Sequence, residues 1–192
     1  MLFRSGGSID RFVGWMNERA AAMGLHNTHF VNPTGLDSDG HYSSARDLAV
    51  TARTLQANAT LADIVRTPRY VVQGPPQYLF LNSNPLMGAY EGLDGVKTGF
   101  TDNAGRTFVA SAARDGHRLI VVLLNSPNIV LEASRLLDLG FTMPGASLAA
   151  PRQGFTSVSV AQATPGRWIR LAAWERPFLR AYSSRAETGL SI

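Results

Sequence analysis

One short run of residues carries the types needed for chemistry on a peptide or acyl group: Asp94-Gly95-Val96-Lys97-Thr98-Gly99-Phe100-Thr101. Side chains alternate faces along a strand, so Lys97 and Gly99 share one face there. The Lys97 ammonium supplies positive potential beside an acyl substrate. Gly99, lacking a Cβ, lets a substrate backbone come close. Thr98 offers a hydroxyl to a carboxylate at the strand edge, and an extended peptide can add to that edge as a further strand. The Phe100 amide is then placed to donate to an oxyanion. Taken alone the triplet is weak, because a solvated lysine before a turn has the same sequence and is the commoner case.

Other reactive side chains make weaker patterns. His26 and His29 stand three apart, with His41 and His117 elsewhere, but no third ligand matches them, and packing and hydrogen bonding within a loop is the better reading. Asp37 and Asp39 flank Ser38 in a turn that lacks the glycine and terminal glutamate of a calcium loop, so they read as solvated turn residues. Trp168 and Trp174 lie among Arg167, Arg170, Arg176 and Arg180. That stripe suits a membrane or wall surface, and ordinary packing of a short element accounts for it at least as well.

The elements that must position these residues follow from periodicity. Ile9, Phe12, Val13, Trp15, Met16, Ala20 and Met23 recur at helical spacing, with Ser8 as N-cap and Gly24 as stop. Leu25 to Tyr42 is loop, with turn chemistry in Asn-Pro-Thr-Gly and Asp-Ser-Asp-Gly. A second helix runs from a Ser43 or Ser44 cap to about Ala57, with Asp47 in its first turn, and a short one covers Thr60 to Val65. Arg69–Val72 and Tyr78–Leu81 read as short strands, Asn82 to Gly95 as irregular, and Val96–Thr101 as a strand. Arg106–Ala113 and His117–Asn125 form the clearest pair, joined through Asp115-Gly116. Leu119–Leu124 is continuously apolar, as a central strand would be. A last helix spans Asn128 to Leu139 and stops at Gly140. Helices, then antiparallel strands, then a helix predict an α+β fold of helices packed on an antiparallel sheet. Residues 1–143 form this unit, and 144–192 read as a linker-like tail or small appended segment, with a short amphipathic stretch from Trp168 to Tyr182.

Composition excludes several classes. The 192 residues are 45% hydrophobic and 17% charged, which rules out a disordered chain. There is no cysteine, hence no disulfide, thiolate metal site or cysteine nucleophile. The net charge of +4 comes from scattered basic residues, so no nucleic-acid partner is expected. No stretch approaches the roughly 20 apolar residues of a membrane span, and the start is not a signal peptide. Of 18 basic residues 17 are arginines, and the one lysine is Lys97.

The surrounding segments sharpen the reading. Met23-Gly24-Leu25-His26-Asn27-Thr28-His29-Phe30-Val31-Asn32-Pro33-Thr34-Gly35-Leu36-Asp37, Gly40-His41-Tyr42-Ser43-Ser44-Ala45-Arg46-Asp47, Gly92 to Thr101 with Ala104-Gly105, and Leu136-Leu137-Asp138-Leu139-Gly140-Phe141 follow one another in order. This closely resembles the D-alanyl-D-alanine carboxypeptidases, the low-molecular-mass penicillin-binding proteins of peptidase family S11, from about Ile9 to Phe141. The resemblance implies a partial serine transpeptidase-like domain. It implies a serine peptidase acting on peptidoglycan stem peptides that end in D-Ala-D-Ala and acylated by β-lactams. It needs no cofactor and no metal, and the full-length protein would work outside the cytoplasmic membrane, in the periplasm or cell wall, with membrane association possible. It assigns substrate binding to Lys97, Thr98, Gly99 and Phe100.

The family's nucleophile lies in Ser-x-x-Lys, with Ser-x-Asn across the cleft. No Ser-x-x-Lys occurs here, because Asp94 stands three residues before the only lysine. Ser126-Pro127-Asn128 has the letters of the second motif, but follows Lys-Thr-Gly where the family's precedes it, and reads as a strand-to-helix turn with a cap. The family also places a substrate-carboxylate arginine near the start of the last helix, about Ile129, yet no arginine occurs between Arg118 and Arg135. The chain is therefore expected to be an N-terminally truncated enzyme with no catalytic residue of its own. The alternatives are a degenerate, non-catalytic module binding peptides or β-lactams, and a structural relic.

Overall fold

The computed structural model describes residues 6–143. Helix α1 (Ile9–Ala22) starts where the Ser8 hydroxyl accepts the Arg11 amide at 3.1 Å, satisfying one of the free N–H groups of the first turn. The chain leaves it through Gly24 at φ +68°, a conformation glycine adopts without a side-chain clash. Ser44 caps α2 (Ala45–Gln56) in the same way, and Asn58 caps α3 (Ala59–Arg66), accepting the Leu61 amide at 3.1 Å. Strands β1 (Arg69–Val72) and β2 (Tyr78–Leu81) pair as a small antiparallel ribbon whose residues are all exposed.

The larger sheet has the antiparallel order β3 (Leu93–Thr101), β4 (Gly105–Arg114), β5 (His117–Leu123). Asp115 at φ 50° and Gly116 at φ 77° make the two-residue β4–β5 turn, the geometry the Asp-Gly pair predicts. Helix α4 (Ile129–Thr142) follows, with Asn128 accepting the Leu131 amide at 3.0 Å. One sheet face carries Phe108, Ala110 and Ala112, which pack with Leu123, Leu86, and Ala133 and Leu137 of α4 into the buried core. The opposite face carries Thr107 and Val109 towards Leu48, Ala52 and Leu55 of α2. Helices thus flank an antiparallel sheet, an α+β arrangement.

Three expectations change. The last helix passes through Gly140 to Thr142, because there the missing side chain serves packing: a Cβ would come within 2.7 Å of Leu119 Cδ1 on β5. The apolar β5 lies beside β4 alone, so among the described strands the central one is β4; β5 is apolar because α2 and α4 pack against it. The Lys-Thr-Gly strand begins at Leu93, within the stretch expected to be irregular. The amphipathic stretch at 168–182 and the whole expected tail from 144 lie outside the described residues.

Candidate functional site

The turn between β4 and β5 fixes which edge of β3 is free. Arg114 and His117 close a two-residue hairpin and so exchange backbone hydrogen bonds. By alternation Ala112, Ala110, Phe108 and Arg106 direct their backbone groups to β5, while Ala113, Ser111, Val109 and Thr107 direct theirs to β3. Two bonds at the ends agree: Ala113 N–H donates to Gly92 O at 2.8 Å, and Ser126 N–H to Arg106 O at 2.9 Å. Lys97 pairs with Val109 and Gly99 with Thr107, so these two bind β4. The N–H and C=O of Thr98 and Phe100 therefore point away from β4. No described strand pairs with that edge.

The side chains follow the same alternation. Lys97, exposed, shares a face with Gly99, Thr107 and Val109 and overlooks a cleft of about 340 Å³ between this face and α2. Its Nζ donates to the Thr98 carbonyl on the open edge. A Cβ at Gly99 would come within 2.5 Å of Thr107 Oγ1, so glycine keeps this face low. Thr98, half-buried on the other face, has Oγ1 3.0 Å from Ser83 Oγ. Phe100 is 66% exposed, with the Arg106 guanidinium 5.8 Å from its ring centre. The four predicted site residues thus form one continuous stretch of edge. Of the four, Lys97 and Thr98 line the α2 cleft, and Gly99 lies on the same strand face as Lys97.

The base of β3 is held from below. Asp94 pairs with Arg118, whose Nη1 also lies 3.3 Å from Ser111 Oγ, and Gln56 Nε2 donates to both the backbone and side-chain oxygens of Asp94. Asn84 Nδ2 donates to Gly95 O at 3.2 Å. The top of β3 is held by Asp37. One of its oxygens accepts Thr101 Oγ1 at 2.7 Å and the other accepts the Asn103 amide at 3.2 Å. The reading of Asp37 as merely a solvated turn residue is therefore corrected: it clasps the 25–42 loop to the end of the edge strand. That loop is itself anchored by Asp47, fully buried, whose Oδ2 accepts Asn27 N–H at 2.7 Å and Thr28 Oγ1 at 2.9 Å. Both carboxylates act across 19 or more residues of sequence, so spacing alone could not find them. The Gly-Leu-Asp and Ala-Arg-Asp segments were the only signal.

The remaining candidates have local roles. His29 Nδ1 sits 2.8 Å from Gly40 O, and His41 Nδ1 accepts the Val31 amide at 3.1 Å, both within the loop. No group of three or more metal-ligating side chains occurs among the described residues. Ser126 and Asn128 form the turn into α4: Ser126 Oγ donates to Glu132 at 2.8 Å and accepts the Asn128 amide at 3.2 Å. No described helix is long and apolar enough to cross a membrane.

Comparison with known proteins agrees with this geometry. A family model described as D-alanyl-D-alanine carboxypeptidase matches residues 4–128. The D-alanyl-D-alanine carboxypeptidase DacF of Bacillus subtilis is 37% identical over 141 residues, 71% of this chain and 36% of its own. DacA of Escherichia coli, of the same description, is 40% identical over 140 residues, 70% of this chain and 34% of its own. The crystal structure of a D-alanyl-D-alanine carboxypeptidase from Mycobacterium tuberculosis superposes with a TM-score of 0.69 at 35% identity, covering 76% of this chain and 59% of that one. The chain thus spans about a third of the length of these two curated relatives, and the match includes the Lys-Thr-Gly strand and its supports. The chain belongs to the D-alanyl-D-alanine carboxypeptidase family.

Proposed function

We propose that residues 1–143 are the C-terminal portion of the catalytic domain of a serine-type D-Ala-D-Ala carboxypeptidase of peptidoglycan maturation, contributing the substrate-docking strand and not the nucleophile. The observation that carries this is the open edge of β3, where the Thr98 and Phe100 backbone groups point away from β4. A stem peptide ending in D-Ala-D-Ala adds there as a strand. Its backbone bonds to Thr98 and Phe100, while Gly99 gives clearance. The Phe100 N–H is half of an oxyanion hole for the carbonyl under attack. Lys97 places a positive charge over the α2 cleft.

The only lysine is Lys97, so a serine activated by a lysine three residues on has no counterpart in these residues. The chain therefore binds peptide without turnover, and the full-length protein acts outside the cytoplasmic membrane on peptidoglycan. A second reading, a structural relic, draws on one observation. Besides the cleft under Lys97, an apolar cleft of about 310 Å³ opens beside α1, lined by Phe12, Trp15, Met16, Met23 and Phe30. Two open apolar clefts in one small unit lower stability, because their linings lack packing partners.

The test uses a fluorescent penicillin and an acetylated tripeptide ending in D-Ala-D-Ala. Intact mass and denaturing gels are expected to show no covalent adduct, and amide spectra to show peptide-dependent shifts at Thr98 to Phe100. An adduct would overturn the absence of a nucleophile. A chain that folds and gives no peptide response would overturn the docking strand, and one that aggregates on its own would favour the relic.

A further inference from the structure

The pairing of β3 with β4 has one irregularity, just before the lysine. Leu93 stands opposite Ala112, yet Gly95 stands opposite Ser111, and from there to Thr101 the pairing runs without a break. Asp94 is therefore an extra residue on β3, a β-bulge. A strand alternates with a period of two, so one residue more or less turns every side chain beyond it to the other face and every N–H to the other edge. Carried on from Leu93 without the bulge, the register would put Lys97 opposite Phe108 on the core face and Thr98 opposite Thr107. Thr107 and Val109 direct their backbone groups to β3, so the Thr98 and Phe100 amides would then be bound to β4. Those of Lys97 and Gly99 would stand at the open edge instead. The bulge thus decides which backbone groups a docked peptide meets.

Three side chains hold the bulge. Nη1 of Arg118, on β5, pairs with Asp94 Oδ2 and also lies 3.3 Å from Oγ of the fully buried Ser111. Gln56 Nε2, at the end of α2, lies 3.3 Å from Asp94 Oδ1 and 3.2 Å from its carbonyl oxygen. Asn84 Nδ2 donates to Gly95 O at 3.2 Å. A Cβ at Gly95 would come within 3.0 Å of Val65 Cγ2 and 3.2 Å of Gln56 Nε2. Asp94 and Gly95 in succession thus both face the helices, which unbroken alternation forbids. We infer that Asp94 is a positioning residue: held by Arg118 and Gln56, it locks the bulge that turns the Thr98 and Phe100 backbone groups to the open edge. It acts on peptide binding through the strand and touches no peptide. The consequence for binding rests on the docking-strand reading above; the register lock does not.

The test is amide hydrogen exchange at single residues, without ligand, in the parent chain and in Asp94→Ala, Asp94→Asn and Arg118→Gln. Asp63→Ala removes an acid from an exposed pair on α3 and serves as the control. Loss of the ion pair is expected to let the slipped register form. Exchange at Thr98 and Phe100 should then slow relative to Lys97 and Gly99 by roughly 5- to 10-fold, as for a charge-assisted hydrogen bond discounted for partial exposure. Asp94→Asn, which keeps an acceptor for Gln56, should move this ratio less, and Asp63→Ala should leave it unchanged. Affinity for the acetylated D-Ala-D-Ala tripeptide should fall in the same order. Arg118→Gln leaves β3 itself untouched and reads the same lock should Asp94→Ala unfold. An unchanged ratio in Arg118→Gln, or a uniform rise in exchange along β3 and β4, the mark of a merely stabilising contact, would overturn the lock. A shifted ratio in a chain whose parent binds no tripeptide would overturn the docking strand and leave the lock standing.

Discussion

Asp47 should be the most sensitive polar residue in the described fold, and the two substitutions Asp47→Ala and Asp47→Asn separate the reasons. Its side chain is fully buried in the first turn of α2. Oδ2 accepts from Asn27 N–H at 2.7 Å and Thr28 Oγ1 at 2.9 Å, and Oδ1 meets Arg46 at 3.3 Å. Removal to alanine leaves the Asn27 amide without its acceptor, while Thr28 keeps Ser43 Oγ at 2.9 Å. One lost charge-assisted bond costs about 1.5 to 3 kcal/mol. The negative charge at the helix N-terminus is worth about 0.3 to 1 kcal/mol, and the half-exposed Arg46 pair close to nothing. Asp47→Ala should therefore destabilise by about 3 kcal/mol. Asparagine keeps one oxygen to face the two donors and loses only the charge terms, about 1 kcal/mol. Urea unfolding monitored by tryptophan fluorescence would report both, with an unchanged slope showing that the denatured state is the same. Equal losses in the two variants, or a loss below about 1 kcal/mol in alanine, would refute the claim that this carboxylate anchors the 25–42 loop.

Further outcomes follow from the same geometry. Tyr90 donates to Asp138 at 2.7 Å, and burial together with that bond pushes its phenol up to about 12. The folded state holds this proton more tightly than the unfolded chain, whose tyrosine titrates near pH 10. The contribution of Tyr90 is thus complete below pH 10 and is lost as pH rises through about 12. Phenolate absorbance should show one tyrosine titrating late, and Tyr90→Phe should remove that late step. Gly92 sits at φ +78°, where a Cβ would overlap the Ala113 carbonyl oxygen. Gly92→Ala should cost at least ~2 kcal/mol in a thermal or urea melt, since left-handed strain and a clash with backbone add. Asp37→Ala releases Thr101 and Asn103, both exposed contacts. It should change stability by less than about 1 kcal/mol yet weaken tripeptide binding, measured by titration calorimetry.

Local chemistry was readable where a single residue decides it. Ser8 and Ser44 cap the helices as expected, and Asp115-Gly116 makes the β4–β5 turn. The order of motifs around Lys97 identified the family. What sequence could not show depends on contacts between distant segments. Gly140 reads as a helix stop because glycine usually ends helices, yet here it admits Leu119 of β5. The run Leu119–Leu124 reads as a central strand because burial on both faces looks the same whether helices or strands supply it. Asp37 reads as a turn residue because its partners are 64 and 66 positions away. The four candidate site residues lie on one strand, as their alternation predicts, but which of their backbone groups are free follows only from the hairpin's closing pair.

That free edge is the account's central claim, and amide hydrogen exchange resolved at single residues tests it most directly. Without ligand, the Lys97 and Gly99 amides, bound to β4, should exchange slowly, and the Thr98 and Phe100 amides should exchange fast. Saturation with the acetylated D-Ala-D-Ala tripeptide should slow Thr98 and Phe100 by at least about tenfold while leaving the central Ala110 and Ala112 of β4 unchanged, as expected for a strand added at the edge. Slow exchange at Phe100 before any peptide is added, or no slowing at Phe100 under saturation, would contradict it.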